Sequence, residues 1–286
     1  MRLGIFAKTF TRPSLGETLD AVEAHGIYCV QFNMSCTGFP TLPEEMPAEL
    51  ANRIRGEMDE RNLTMAAVSG TFNMINPNPK KRRDGLRRLG VLADACRQLD
   101  TSVITLCTGT RDPYDMWRYH PENDSPEAWR DLLASMEQAV RVAEEHGVTL
   151  AFEPEVNNVV DSAEKSRRLL DEMKSSRLKV VMDGANLFRE GELLHAEEVL
   201  DKAFELLGED IVVAHAKDVK NTGEMVAAGR GELDYDQYLE KLRGVGFEGP
   251  LILHGLGESE VEDSVAFLHS KLAENTACTE DEANRL

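Results

Sequence analysis

Short apolar runs recur along the chain, and each one ends in polar residues or glycine. Eight such runs occupy residues 3–7, 28–32, 64–70, 102–109, 148–153, 178–183, 211–217 and 250–254. Runs of this length, bounded by turn-forming residues, are typical of buried β-strands. Longer segments between them repeat apolar residues at the spacing of one helix face, for example residues 48–62, 85–99, 128–146 and 235–246. The pattern predicts strands that alternate with helices.

This alternation indicates an α/β fold with parallel strands and right-handed crossover connections. The strand-to-strand spacing is about 35 residues, and no Pro- or Ser-rich linker interrupts it. We therefore predict a single (β/α)8 TIM barrel over residues 1–275, followed by a polar C-terminal tail at residues 276–286. A doubly wound open sheet is the alternative, but no GxGxxG motif follows the first strand, which disfavours a dinucleotide-binding sheet.

Composition narrows the classes of partner and the compartment. The chain has 286 residues and a formal net charge of −19, from 51 acidic and 32 basic residues. Such a charge would repel a phosphate backbone, so we expect no nucleic-acid partner. No stretch has the length of a signal peptide or a membrane span, and the five cysteines form no CxxC pair. We expect a cytoplasmic protein with reduced thiols and no membrane association.

Polar side chains stand where the predicted strands end, which is the catalytic face of a barrel. Residues two apart on a strand share a face, so four ionisable residues are expected to point inward above small or branched ones. These four are Glu153, Asp183, His215 and His254. Two carboxylates and two imidazoles suit a divalent metal ion. Alternatively each is an inward polar residue satisfied by hydrogen bonds, but carboxylates crowded together without a cation would repel one another.

Four sequence segments carry a resemblance to a known family. They are LAFEPE around Glu153, VVMDGANLF around Asp183, the HxKD stretch at 215–218, and the GxGxxDY-like stretch at 229–235. With them the chain resembles the xylose-isomerase-like barrel superfamily, in its sugar phosphate isomerase and epimerase group, and is similar to D-tagatose 3-epimerase. The resemblance covers nearly the whole chain. It implies a small sugar or sugar derivative as the partner and a possible homo-oligomer.

The resemblance also implies a Mn²⁺-type ion held by Glu, Asp, His and Glu on strands five to eight. Glu153, Asp183 and His215 match the first three ligands, whereas His254 stands where the family has a glutamate. Asn186 departs as well, because many sugar epimerases carry histidine there. Imidazole at the fourth position suits Mn²⁺, Co²⁺, Fe²⁺, Ni²⁺ or Zn²⁺ and makes the centre one charge less negative. It also breaks the carboxylate pair thought to exchange protons in the epimerases.

These residues predict an isomerase or epimerase that moves a proton next to a carbonyl through an enediolate. Glu153 is the expected base, and Lys217, His254 or Glu155 can also transfer a proton. Further candidates for substrate binding stand at strand ends or in the loops that follow: Glu155, Asn186, Arg230, Arg111, Trp117, His120, Asn33 and Ser69. The two arginines are equally well explained as solvated loop charges. Trp117 and His120 either form part of a lid over the barrel or pack their own loop.

Three other functions remain open on the sequence. Because the carboxylate pair is broken, the same enolate can expel a leaving group, as in a lyase or hydratase acting on a keto-sugar or keto-glycoside. DNA repair of the endonuclease IV type is less favoured, since that chemistry needs several metal ions and a basic groove. The last possibility is a sugar-binding barrel without catalysis.

Overall fold

The computed structural model describes residues 1–283, with side chains as far as residue 273. Eight parallel strands close into one barrel, which confirms the predicted fold class. In chain order they are β1 (Arg2–Phe6), β2 (Cys29–Phe32), β3 (Thr64–Ser69), β4 (Val103–Cys107), β5 (Thr149–Glu153), β6 (Leu178–Asp183), β7 (Ile211–Ala216) and β10 (Pro250–Leu253). The two short strands between β7 and β10, β8 (Asp218–Val219) and β9 (Met225–Val226), form a separate hairpin. Each pairs with its neighbour in sequence, and β10 pairs with β1 to complete the ring.

Helices connect the strands and surround the barrel. They are α1 (Leu15–Ala24), α2 (Ala48–Glu60), α3 (Pro79–Leu99), α4 (Pro126–His146), α5 (Ala163–Met173), α6 (Ala196–Leu207), α7 (Tyr235–Gly244) and α8 (Val261–Ala283). Helix α4 shows how the sequence sets their ends: the Ser125 side chain accepts the N–H of Ala128, Pro126 occupies the first turn, and Gly147 ends the helix at φ +69°. Helix α3 begins six residues earlier than predicted because Asn78 caps it.

The barrel has an inner and an outer core, as strand alternation predicts. Alternate strand residues such as Leu150 and Phe152 pack outward against the helices. The inner cluster consists of Phe6, Cys29, Ala67, Ala151, Val181, Val213 and Ile252. On β1 the inward position belongs to Gly4, where an added Cβ would lie 2.6 Å from Ile252 Cδ1 and 2.8 Å from the Cys29 carbonyl oxygen. This tightly packed inner cluster lies beneath the strand ends that carry the polar residues.

A short hairpin after β7 was not among the predicted elements. Strands β8 (Asp218–Val219) and β9 (Met225–Val226) pair antiparallel. The buried Asp218 carboxylate organises this region by accepting three backbone N–H groups, from Val219 at 2.8 Å, Gly229 at 3.1 Å and Leu233 at 3.0 Å. The Asp of the HxKD motif and the glycine-rich stretch thus form one structural unit.

Two sequence-based predictions concern the C-terminal tail and membrane association. The predicted tail at residues 276–286 lies outside the residues whose side chains are described, so the boundary at residue 275 stays a prediction. Among the described residues, no helix has the length and apolar character needed to cross a membrane.

Candidate metal centre and active site

Four side chains converge at the carboxyl end of the barrel. Glu153 and Asp183 are the last residues of β5 and β6, His215 lies near the end of β7, and His254 directly follows β10. Each offers one ligand atom, and the four atoms lie within 4.8 Å of one another. Four strands that are far apart in sequence therefore bring two carboxylates and two imidazoles to one point.

Asp183 is the most buried member of this cluster. Its Oδ1 accepts the backbone N–H of Ala185 at 2.9 Å, which fixes the plane of the carboxylate. Its Oδ2 faces the barrel mouth, where His254 Nε2 lies at 2.9 Å and Lys217 Nζ at 3.2 Å. One oxygen is thus held by the backbone and the other by groups of the site.

His215 lies between the carboxylates and the far side of the barrel. Its Nδ1 is 3.2 Å from Glu153 Oε1 and 3.8 Å from Asp183 Oδ2. Its Nε2 is 2.9 Å from Oε1 of Gln31, which belongs to β2. The His254 ring packs against it, with 4.4 Å between the ring centroids.

A second line of contacts joins Lys217 to Glu153. Lys217 donates from Nζ to Asn186 Oδ1 at 2.6 Å, and Asn186 donates from Nδ2 to Glu153 Oε1 at 2.7 Å. The Lys217 stem runs alongside Gly255, where an added Cβ would lie 2.7 Å from Lys217 Cδ. Glycine after His254, at φ +71°, therefore leaves room for the lysine as well as turning the chain.

The pKa shifts describe a crowded site of mixed charge. Burial raises the pKa of the Glu155 carboxyl well above its usual value, and the negative charge of Glu153 adds to this shift. Burial lowers the pKa of His254 to about 4, with His215 and Lys217 contributing in the same direction. At neutral pH His254 is therefore uncharged.

Asp183 and Lys217 shift each other's pKa in opposite directions. Burial alone would raise the pKa of the Asp183 carboxyl, but the Lys217 charge and the hydrogen bond from His254 outweigh it and hold that pKa well below its usual value. Burial alone would lower the pKa of Lys217, but the charge of Asp183 prevails and raises it. The two groups form a buried ion pair at neutral pH.

The predicted substrate residues fall into two groups. Asn186 and Glu155 lie at the cluster, and Ser69 joins it indirectly because its Oγ accepts a hydrogen bond from Gln31 Nε2 at 3.3 Å. Asn33 instead caps the turn after β2, where its Oδ1 accepts the N–H of Ser35 at 3.0 Å.

The remaining candidates lie in loops and mostly have partners there. Arg111 is buried and its Nη1 donates to Asp131 Oδ2 at 2.7 Å, while Arg230 is half exposed and pairs with Asp263. His120 accepts the N–H of Glu122 at its Nδ1 and so caps a short 3-10 turn. Trp117 is half exposed in the loop between β4 and α4. The structure does not bring these four into the cluster, and their role in substrate binding stays a prediction.

Gln31 stands at the end of the second predicted strand but was not among the predicted site residues, and neither was Thr105. Gln31 Nε2 donates to Thr105 Oγ1 at 3.0 Å and Gln31 Oε1 lies 2.9 Å from His215 Nε2, so the two residues extend the polar layer of the site. Both face inward above Cys29 and Val103 by the same alternation that selected the other residues. The alternation thus places both side chains inside the barrel, but it does not show that Gln31 reaches His215.

The cluster fits a divalent metal ion by its chemistry. Carboxylate oxygen together with imidazole nitrogen is a donor set for Mn, Fe, Co, Ni and Zn. Three carboxylates, from Glu153, Glu155 and Asp183, surround a single ammonium from Lys217. A cation between these donors would offset the negative charge that burial makes costly.

Comparison with known proteins agrees with the fold. The model of the family "Xylose isomerase-like TIM barrel" matches residues 19–271, and the chain belongs to this family. A protein of Methanocaldococcus jannaschii, described as uncharacterised, is 24% identical over 264 residues, which are 87% of this chain and 82% of the relative.

Solved structures with the same fold include several sugar enzymes. A D-tagatose 3-epimerase-like protein superposes with a TM-score of 0.78 at 17% identity, covering 98% of this chain and 100% of the other. The apo 3-keto-D-glucoside 4-epimerase of E. coli gives 0.73 at 17%, covering 94% and 99%.

Two more show the range of chemistry on this fold. The IolI protein, with a bound zinc atom, gives a TM-score of 0.72 at 15% identity, covering 96% and 97%. A probable 3-DHS dehydratase from Bacillus anthracis gives 0.72 at 13%, covering 94% and 99%. Identities this low establish the shared fold alone.

Proposed function

We propose that this protein is a divalent-metal-dependent isomerase or epimerase of sugars or sugar derivatives. The observation that carries the proposal is the meeting of Glu153, Asp183, His215 and His254 at the carboxyl end of the barrel. These four would hold the ion, with Mn²⁺ expected and Co²⁺, Fe²⁺, Ni²⁺ or Zn²⁺ as other fits to the donor set. The D-tagatose 3-epimerase-like protein and the 3-keto-D-glucoside 4-epimerase that share this fold support a substrate with a carbonyl next to a C–H bond.

Glu153 is the proposed base. Its Oε1 accepts from Asn186 and faces His215, so Oε2 is the oxygen left to take a proton from a substrate carbon. Asn186 holds the carboxylate in this orientation and is in turn held by Lys217. A divalent ion bound here would supply Lewis acidity that favours an enolate beside the carbonyl.

The proton must return from another group to give epimerisation. Lys217 carries ammonium protons at Nζ and can protonate the opposite face of the substrate, which in the family pattern is the task of a second carboxylate. His254, expected from the sequence as another proton donor, is uncharged at neutral pH and is better suited to hold the ion. Glu155, whose pKa is raised by burial, can bind a substrate hydroxyl or assist the transfer.

Hydrogen exchange tests this proposal directly. The metal-loaded protein is incubated with ketoses in D₂O, and proton NMR follows loss of the C–H signal next to the carbonyl. Wild type and the exposed control Glu164→Gln should exchange at equal rates, whereas Glu153→Gln should be slower by at least about 100-fold. Equal exchange by Glu153→Gln, or no exchange with any ketose and any of the five metals, would refute the proposal.

A lyase or hydratase acting on a keto-sugar or keto-glycoside is the second candidate. Histidine in place of the fourth carboxylate favours it, because an enolate that is not reprotonated can lose a leaving group. The dehydratase with the same fold supports this direction. With a 3-keto-glycoside, elimination would produce a conjugated enone that absorbs in the near ultraviolet, whereas epimerisation would leave the absorbance unchanged.

A further inference from the structure

Gln31 spans the interior of the barrel from β2 to His215. It is 2% exposed and faces inward directly above Cys29 of the inner core. Its side chain has three polar partners: His215 Nε2 at 2.9 Å, Thr105 Oγ1 at 3.0 Å and Ser69 Oγ at 3.3 Å. Every amide atom of Gln31 that can form a hydrogen bond therefore has a partner.

In the structure Nε2 of the amide donates its two hydrogens to the Thr105 and Ser69 hydroxyls, and Oε1 faces His215 Nε2. A carbonyl oxygen only accepts, and the ring nitrogen opposite it must therefore carry the hydrogen. Reversing the amide would point an NH₂ group at His215 and would require the ring hydrogen on Nδ1 instead.

The other ring nitrogen faces the proposed metal site. His215 Nδ1 lies 3.2 Å from Glu153 Oε1 and 3.8 Å from Asp183 Oδ2, among the proposed ligand atoms. A nitrogen ligand needs a free lone pair, and the hydrogen bond made by the opposite nitrogen selects which one has it.

We propose that Gln31 is a positioning residue that holds His215 in the Nε2–H tautomer and so presents Nδ1 as the metal ligand. This inference rests on the proposed metal centre and adds a residue to it. The Thr105 and Ser69 hydroxyls support Gln31 in turn, so that β2, β3 and β4 fix the orientation of a ligand on β7. The arrangement joins the half of the barrel without predicted ligands to the half that carries them.

The test compares zinc affinity across matched variants. Gln31→Met keeps the length of the side chain but cannot accept the ring hydrogen, and Gln31→Glu keeps an acceptor. Zinc binding is measured by competition with a chromogenic chelator at pH 7. We expect Gln31→Met to bind zinc about 10- to 100-fold more weakly than wild type, and Gln31→Glu to bind at least as tightly. The exposed control Gln138→Met, on α4, should match wild type.

Nitrogen-15 NMR of the histidine rings gives a readout that a merely structural role would not change. In zinc-loaded wild type the His215 Nε2 should carry the hydrogen, and in Gln31→Met this signal should broaden through exchange with water. Thr105→Val, which removes a support of Gln31 without touching His215, should weaken zinc binding by about 2- to 10-fold. This second variant keeps the test decisive if Gln31→Met does not fold.

The outcomes separate this inference from the proposed function. If wild type binds zinc and both Gln31→Met and Thr105→Val bind it equally well, Gln31 has no positioning role although the metal centre stands. A hydrogen on Nδ1 in the zinc-loaded protein would overturn the inference in the same way. If wild type binds neither zinc nor manganese nor cobalt, the proposed function and the inference fail together.

Discussion

Replacing Lys217 by methionine should make the stability of the protein depend on metal. Lys217→Met keeps most of the buried stem and removes the positive charge that lies 3.2 Å from Asp183 Oδ2. Two unit charges at this distance attract by about 5 kcal/mol at an effective dielectric constant of 20. The destabilisation has an upper limit, because the unpaired Asp183 carboxyl can instead take up a proton. At pH 7 this protonation costs about 4 kcal/mol for a carboxyl of ordinary pKa. The variant also no longer bears the cost of burying the Lys217 ammonium, which offsets another part of the destabilisation. We therefore expect a net destabilisation of about 3 kcal/mol.

Metal should reverse much of this effect. In wild type the ammonium repels a cation that approaches Asp183, whereas in Lys217→Met that repulsion is absent. For a chain of this size a change of about 3 kcal/mol corresponds to roughly 5 °C in Tm. We expect Lys217→Met to melt that much below wild type in EDTA and to gain more from saturating Mn²⁺ or Zn²⁺ than wild type does.

Scanning calorimetry of the two proteins with and without metal is the assay. Lys220→Met is the matched control, because Lys220 lies three residues further on, is 41% exposed, and pairs with Glu224 at the surface. Its Tm should stay within about 2 °C of wild type in both conditions. Two results would refute the reasoning: a Lys217→Met Tm in EDTA equal to that of wild type, or an equal gain from metal in both proteins.

Three further predictions concern single carboxylates and one ligand. His254→Glu should shift metal preference from Zn²⁺ towards Mn²⁺, measured by competition binding, because a hard oxygen ligand replaces imidazole. Asp112 has a pKa of about 2, set first by hydrogen bonds from two backbone N–H groups. Because this pKa is depressed, the Asp112 carboxylate should stabilise the protein above about pH 4, and this contribution should be lost as the pH falls through 2. Asp112→Asn should therefore reduce the difference in the free energy of unfolding between pH 7 and pH 2, measured by urea unfolding. Asp218→Ala removes the acceptor of three backbone N–H groups, two of them buried, and should lower the free energy of unfolding by at least about 2 kcal/mol in the same assay.

The fold was largely predictable because its periodic signal is strong. Each of the eight predicted strands appears in the barrel within two residues of its expected bounds. Alternation also predicted that Glu153, Asp183, His215 and His254 face inward. The small and branched residues that share this face form the inner core directly beneath them. The alternation of inward and outward residues along a strand is a local property, so it can be read directly from the sequence.

The contacts within the site were less predictable because they depend on distances across the barrel. Gln31 and His215 are 184 positions apart in sequence and belong to strands that do not pair. They meet because a long amide side chain reaches over small inward residues such as Cys29 and Ala67. Arg111 is a second example: the sequence places it after β4, and the structure adds that Asp131 on α4 accepts a hydrogen bond from its guanidinium. Neither distance can be derived from the spacing of residues along the chain.

Charge balance gives a physical reason for the histidine at position 254. His254 Nε2 lies 2.9 Å from Asp183 Oδ2, and Lys217 Nζ lies 3.2 Å from the same oxygen. A carboxylate at position 254 would bring a second negative charge against Asp183, whereas a neutral imidazole avoids this repulsion and can still donate a hydrogen bond to Oδ2. Since burying like charges together is costly, imidazole is the better partner for a site where Asp183 already pairs with Lys217. The lysine, the glycine that makes room for it and His254 are therefore best understood as one set of mutually dependent residues.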